Sequence, residues 1–143
     1  MKILLTLFIF SFALLASDTP IALKKQILEK VFKNISLNKE LVLWCDDKNL
    51  LSAFKEDSAF KTAQTPESAT LLILNDKQAL PKSIQNKAVF ALDYTLLKEL
   101  PQSFGAMFWK KGRPNIVIIA PRAKNQNILI SENLDSYVED AVW

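Results

Sequence analysis

Three short apolar runs, each ended by aspartate or asparagine, constrain the fold of this chain more than any other feature. The runs are Glu40–Cys45 (ELVLWC), Ala69–Leu74 (ATLLIL) and Ala88–Leu92 (AVFAL). Runs of this length without polar alternation are typical of strands that are buried on both faces of a parallel sheet. Because helical or polar stretches separate them, the sequence predicts parallel crossover connections and an α/β sheet.

The segment Ser103–Pro121 (SFGAMFWKKGRPNIVIIAP) predicts an antiparallel hairpin at the C-terminal end of the sheet. Only KKGRP separates its two apolar runs, and this connection is too short for a crossover. The segment also contains both glycines of the chain. Gly112 is predicted to take a positive φ in the turn, whereas Gly105 is predicted to lie where a bulge or a close neighbour requires the space.

A first helix is predicted from apolar residues that recur at intervals of three and four. Asp18 or Thr19 is its expected cap, and Pro20 lies in its first turn. Its apolar face is formed by Ile21, Ile27, Leu28, Val31, Phe32 and Ile35.

Three further segments complete the predicted fold. Lys48–Glu56 fits a short helix, and Ser58–Ala69 is expected to contain at most one edge strand. A final helix is predicted after a Ser131 cap, with Leu134, Tyr137, Val138 and Ala141 on one side. The predicted fold is therefore a single-domain α/β three-layer sandwich, with a mostly parallel sheet, a C-terminal antiparallel hairpin and helices on both faces.

The first residues are predicted to be an export signal. Lys2 precedes an apolar run from Ile3 to Ala16, which as a helix spans about 21 Å, short of the ~30 Å core of a bilayer. Cleavage is predicted after Ala16, with Ala13 as the alternative. The expected mature domain, residues 17–143, then has 143 − 16 = 127 residues, which is a usual size for one domain. Export predicts a periplasmic location.

The composition excludes several kinds of active site. There is no histidine, which removes imidazole metal sites and catalytic triads that use histidine as the base. Cys45 is the sole cysteine, so an intramolecular disulfide is impossible, and the thiol is predicted to be buried in the core. No G-x-S-x-G elbow surrounds a serine, and two glycines in one hairpin cannot form a phosphate-binding loop. We therefore expect no cofactor and no enzymatic activity.

The charge argues only weakly for nucleic acid or an anionic membrane as a partner, and no nucleic-acid partner is expected. There are 18 lysine and arginine residues against 15 aspartate and glutamate residues, a net charge of +3, and no dense basic block.

Four motifs follow one another in the C-terminal part of the chain. They are Gly105-Ala106-Met107-Phe108, Gly112-Arg113, Pro121-Arg122-Ala123-Lys124, and the stretch from Ile128 to Leu134 (ILISENL). Together they resemble the YfiR-like periplasmic family, which commonly has a Gly-Gly-Met-Ile strand, a Gly-Lys or Gly-Arg turn, an alanine- and arginine-rich segment and a Leu-x-Ile-Ser-Ser-x-Leu-Leu ending. Val117 and Ile119 replace the Glu and Asn of the family's Phe-Glu-Ile-Asn strand, and its cysteine pairs have no counterpart.

The resemblance implies a function in envelope signalling. It implies a non-enzymatic regulator that restrains a membrane protein, either a diguanylate cyclase, and so cyclic-di-GMP signalling, or a sensor kinase. The disulfide-based redox behaviour of some relatives cannot apply to a chain with one cysteine. A homodimer is left open.

The turn of the predicted hairpin contains the candidate partner-binding residues. Trp109, Lys110, Lys111 and Arg113 form a cationic and aromatic group of the kind enriched at protein interfaces, which suits an acidic partner surface. The alternative is that the lysines keep the turn soluble while Trp109 packs into the core.

The aspartates that follow the strands are candidate ligands of a divalent cation. They are Asp46, Asp47, Asp76 and Asp93. The carboxyl ends of parallel strands share one edge, where open α/β sheets bind ligands, and Mg²⁺ and Ca²⁺ prefer oxygen ligands. A periplasmic protein that binds a small ligand or a divalent cation there is thus the alternative function. The alternative structural role is local, because aspartate also ends strands by bonding to nearby backbone groups.

Overall fold

The computed structural model describes residues 20–56 and 60–142. The predicted signal sequence and the predicted caps Asp18 and Thr19 lie outside these residues. Within the described part, no helix is long and apolar enough to cross a membrane.

The described elements alternate between helices and short strands. In chain order they are α1 (residues 20–33), β1 (Ile35–Ser36), β2 (Val42–Cys45), α2 (Lys48–Glu56), β3 (Lys61–Thr62), β4 (Leu71–Leu74), β5 (Ala88–Ala91), α3 (Tyr94–Glu99), β6 (Ser103–Lys110), β7 (Arg113–Ile119), α4 (Ala120–Asn125), β8 (Leu129–Ile130) and β9 (Val138–Glu139). Short 3-10 segments occur at Pro66–Ser68, Lys77–Ala79 and Glu132–Tyr137.

Seven of the described strands form one sheet in the order β3-β2-β4-β5-β6-β7-β9. The strands from β3 to β6 are parallel, β7 is antiparallel to β6, and β9 is parallel to β7. The predicted α/β class, with its mostly parallel sheet and antiparallel hairpin, is confirmed, and the predicted edge strand is β3. Because β2 lies between β3 and β4, the direction of chain progression reverses at β2, which makes this position the topological switch point.

The central strands are buried because both faces of the sheet are covered. All residues of β4 and β5 are buried. Alternate side chains of β4 enter different clusters: Leu71 and Ile73 pack with α1 and α2, whereas Leu72 and Leu74 pack with α3. The period of two along a strand explains this division and confirms the predicted three-layer arrangement.

Gly105 lies in a bulge of β6. Val89 pairs with Ser103 and Phe90 with Gly105, so Phe104 is an extra residue on the β6 side. A Cβ added to Gly105 would lie 2.6 Å from the backbone oxygen of Val117 and 3.1 Å from the Phe90 ring. Both predicted reasons for a glycine, a bulge and a close neighbour, are therefore confirmed.

The hairpin turn consists of two residues with positive φ. Lys110 pairs with Arg113, and Lys111 and Gly112 between them have φ values of 53° and 73°. Two successive positive φ values are those of a type I′ turn, whose twist suits a two-residue hairpin. The role of Gly112 is confirmed, whereas the left-handed conformation of Lys111 was not predicted.

The predicted final helix is wrong. Ser131 does act as a cap, since its side chain accepts a hydrogen bond from the backbone N–H of Asn133, but only the 3-10 segment Glu132–Tyr137 follows it. Val138 then begins β9 and pairs with Ile118 of β7. Without this strand, β7 would expose a row of unpaired backbone groups, and a β-branched residue such as Val138 suits a strand there.

A small antiparallel pair outside the main sheet was also not predicted. Ile35, which was assigned to the first helix, lies in β1 and pairs with Ile130 of β8. The backbone oxygen of Asn34 accepts a hydrogen bond from the Ser131 N–H beside this pair. The pair attaches the end of α1 to the C-terminal segment.

Candidate functional site

Asp46 joins the ends of two strands at the topological switch point. Its carboxylate oxygens accept hydrogen bonds of 2.9 Å from the backbone N–H groups of Asn75 and Asp76, just after β4. Hydrogen bonds from backbone N–H groups to a carboxylate are charge-assisted and therefore strong. Asp46 therefore holds the β2 and β4 ends together.

The other three predicted aspartates bind backbone groups close to them in the chain. Asp47 accepts from the N–H groups of Asn49 and Leu50 at the start of α2. Asp76 accepts from Gln78 N–H, and Asp93 accepts from Leu96 N–H at the start of α3. These are the local roles that the sequence analysis gave as the alternative.

The candidate cation site receives no geometric support from these contacts. Among residues 20–56 and 60–142, no group of three or more histidine, cysteine, aspartate or glutamate side chains is placed to hold a metal ion. The cation hypothesis stays a prediction, and calorimetric titration with Mg²⁺ and Ca²⁺, compared between the protein and Asp46→Asn, is its direct test.

Cys45 is a core thiol. It is 1% exposed, as predicted. Burial is the largest of the causes that together raise the pKa of this thiol to about 12. A backbone hydrogen bond at Asp47 and the charge of Lys24 lower the pKa, whereas the Asp46 and Asp47 carboxylates raise it. At neutral pH the sulfur is therefore protonated, a form that is a poor nucleophile and a poor metal ligand.

The predicted partner-binding residues lie together at the end of the hairpin, which we call the hairpin tip (Trp109, Lys110, Lys111 and Arg113). The neighbouring strand β5 ends at Ala91, which pairs with Ala106 of β6. The hairpin tip follows Ala106 in the chain and therefore extends beyond the C-terminal end of β5. Trp109 is 44% exposed, so it does not pack into the core.

The cations of the hairpin tip are available for contacts with another molecule. Lys110, Lys111 and Arg113 are exposed, and none forms an ion pair with another described residue. Together with Asn115 they line a shallow depression. The hairpin tip is thus positively charged, and no described carboxylate neutralises it.

An aromatic contact braces the base of the hairpin tip. The ring of Phe108, which precedes Trp109, lies 5.0 Å from the ring of Tyr94 at the start of α3. The Lys98 ammonium lies over the other ring of this pair, 5.1 Å from the centroid of Tyr94. The sequence analysis missed Tyr94, because the contact joins two residues without a shared motif.

A polar cavity of about 260 Å³ lies at the opposite edge of the sheet. Most of its lining residues are lysine, asparagine or glutamine, and Leu37, Ile84 and Ala88 line it as well. They come from the segments before β2 and β6, around the start of β5 and around the end of α4. The sequence analysis missed it, although the amide-rich stretches Gln85-Asn86 and Asn125-Gln126-Asn127 were a visible signal.

The chain matches no protein-family model, no curated protein and no solved structure.

Proposed function

We propose that this protein is a non-enzymatic regulator located in the periplasm. It binds the extracytoplasmic part of a membrane signalling protein through the hairpin tip. The observation that carries the proposal is the exposure of Trp109, at 44%, beside three cations without described ion-pair partners. Tryptophan and arginine are the residues most enriched among those that dominate binding energy at protein interfaces.

The charge of the hairpin tip specifies the kind of surface it binds. Lys110, Lys111 and Arg113 attract an acidic surface and accelerate the encounter with it, while burial of the Trp109 indole slows dissociation. The two-residue turn and the Phe108–Tyr94 contact hold these side chains on a short, braced loop. A braced loop loses less conformational entropy on binding than a mobile one.

The resemblance to the YfiR-like family supports the class of partner. One of its motifs, Gly112-Arg113, is part of the hairpin turn. The partner is then a membrane diguanylate cyclase or sensor kinase, and the regulator acts by binding one state of it more tightly than another. The shift in its activity is limited by that difference in affinity.

Capture from envelope membranes, combined with a measurement of cyclic-di-GMP in the cell, tests the proposal. The purified protein should recover a membrane cyclase or kinase, and deletion of the protein should change cyclic-di-GMP or the phosphorylation of the kinase's target. Trp109→Ala and the charge reversal Lys111→Glu should each reduce recovery about tenfold or more. Leu129→Ala, which alters a residue of β8 that is 72% exposed, is the matched control and should recover the partner normally.

Two results would overturn the proposal. One is recovery of no membrane signalling protein, together with unchanged signalling after deletion. The other is equal recovery by Trp109→Ala and Leu129→Ala, which would mean that the hairpin tip does not form the contact.

A further inference from the structure

The polar cavity lies at the edge of the sheet formed by the N-terminal ends of the parallel strands. This edge is opposite to the one that carries the hairpin tip and the four aspartates. Its lining residues are Leu37, Asn38, Lys39, Ile84, Asn86, Lys87, Ala88, Gln102, Asn125, Gln126 and Asn127. They come from four separate segments, so only the folded chain assembles the cavity.

The charge of the cavity is positive, because two lysines line it and none of its lining residues is acidic. Lys87 Nζ donates to the backbone oxygens of Glu67 at 2.7 Å and Ala69 at 2.5 Å, so the ammonium is held in place. An ammonium has three N–H donors, and these two bonds leave one for another acceptor.

The second lysine, Lys39, lines the same cavity as Lys87. Burial lowers the pKa of Lys39, and the charge of Lys87 lowers it further. Lys39 forms no ion pair or hydrogen bond with another described residue. An anion between the two ammonium groups would remove the repulsion between them and supply acceptors for both.

Gln126 lines the cavity with an amide that is held in one orientation. Its Nε2 donates to the backbone oxygen of Gln102, which fixes the orientation of the amide. Its Oε1 is buried and has no hydrogen-bond partner within the described part of the protein. An atom with almost no exposed surface is out of reach of a molecule in the cavity, so Gln126 contributes a fixed part of the wall and not an acceptor for the occupant.

We propose that the cavity binds a small hydroxylated organic anion of the sugar-acid or sugar-phosphate class. The anionic group binds Lys39 and Lys87, and the asparagine amides that line the cavity serve the hydroxyls. Amides both donate and accept, which suits hydroxyl groups. The volume of about 260 Å³ lies just below the ~300 to 1,000 Å³ of sites for drug-sized ligands, so the occupant is about the size of a monosaccharide.

Calorimetric titration of the purified protein with four probes tests this assignment. Glucuronate and glucose 6-phosphate carry both an anionic group and hydroxyls, and at least one should bind. Glucose lacks the charge and acetate lacks the hydroxyls, so each should bind about tenfold more weakly or worse. The two anionic sugars distinguish a carboxylate from a phosphate ligand.

Substitutions in the cavity identify the site. Lys39→Met should weaken binding of the better probe about tenfold. Lys124→Met removes an exposed cation from the same region that does not line the cavity, and should bind normally. Urea unfolding of each variant verifies that it is folded.

The inference is wrong if neither anionic sugar binds, if acetate binds as tightly as both of them, or if Lys39→Met binds like Lys124→Met. It is independent of the proposed function, because Trp109→Ala should leave sugar-anion binding unchanged. The two proposals can therefore fail separately, and the experiments show which one has failed.

Discussion

Gly105 and Gly112 are the two glycines of the chain, and each is required for a different physical reason. At Gly105 the backbone of β7 and the Phe90 ring occupy the place of a Cβ, whereas nothing lies within 4 Å of one at Gly112. Gly112 instead has a φ of 73°, a conformation that most L-residues adopt only at a cost.

Substitution by asparagine should distinguish the steric requirement at Gly105 from the requirement for a positive φ at Gly112. Asparagine accepts the left-handed conformation well, so Gly112→Asn should change the free energy of unfolding by less than about 1 kcal/mol. Gly105→Ala should lose about 2 kcal/mol or more through overpacking, and Gly105→Asn should lose more. Urea unfolding measures all three, and equal losses for the two asparagine variants would contradict the explanation.

The buried thiol of Cys45 should make stability depend on pH in the alkaline range. Its pKa is raised from 9.0 to about 12 in the folded protein, so the folded state keeps the proton more tightly than the unfolded state. The contribution of the thiol to the free energy of unfolding is fully present below pH 9 and is lost as the pH rises toward about 12. The stability advantage of the protein over Cys45→Ala should therefore shrink above pH 9.

Urea unfolding of both proteins between pH 7 and pH 10 measures that difference, and the subtraction removes the titration of lysines common to both. A difference that stays constant over this range would mean that the thiol ionises equally in the folded and unfolded states.

At the scale of the elements, the hairpin turn has a residue poorly suited to its conformation. Lys111 has a φ of 53°, in a turn type that favours asparagine followed by glycine. We expect Lys111→Asn to raise the free energy of unfolding by about 0.5 to 1 kcal/mol. Lys110→Asn removes the same charge from the adjacent strand residue and should give no gain, so equal effects of the two substitutions in urea unfolding would contradict the prediction.

Arg122 attaches α4 to the end of α3. Its Nη1 lies 2.9 Å from the Leu97 oxygen, 3.2 Å from the Leu100 oxygen and 3.1 Å from the Ser103 oxygen. These carbonyls end α3 and begin β6, so one guanidinium joins three elements.

Removal of the Arg122 guanidinium should leave these partly buried carbonyls without a charged donor. We expect Arg122→Met to lose about 2 kcal/mol of stability, and Arg122→Lys to recover only part of it because the lysine Nζ lies one bond nearer the backbone than Nη1 does. Lys124→Met, an exposed change on the same helix, should lose less than about 0.5 kcal/mol in the same urea unfolding assay. A loss for Arg122→Met no larger than for this control would contradict the attachment.

At the scale of the whole molecule, an aromatic cluster connects α1 to the centre of the sheet. The Phe90 ring of β5 lies 5.4 Å from the Phe32 ring of α1 in an edge-to-face contact and 5.4 Å from the Phe104 ring of β6. Phe90 therefore links three separate elements through two ring contacts.

A double-mutant cycle should detect this coupling. Phe32→Leu and Phe90→Leu should interact by about 0.5 to 1.5 kcal/mol in the free energy of unfolding. Phe32→Leu and Leu97→Ala, which lie on opposite faces of the sheet, should be additive within about 0.5 kcal/mol. Similar interaction energies for both pairs would show that the aromatic contact has no specific role.

The two candidate binding regions, the hairpin tip and the cavity, lie at opposite edges of one sheet. The hairpin tip was predicted, since a turn between two apolar runs must project its polar residues. The cavity was not predicted, because it forms between segments that are distant in the chain. A local sequence pattern does not indicate which of these segments come into contact.

The sequence by itself determined the α/β class, the three central strands, the hairpin and the turn glycine. These depend on local properties: apolar runs too short for anything but buried strands, a connection too short for a crossover, and a φ that glycine adopts freely. The tertiary structure decided the rest. Val138 became a strand because β7 offered a free edge, and Asp46 became a link between strands because the β4 end lay beside it. In both cases the outcome depended on a partner distant in the sequence, which a local pattern cannot specify.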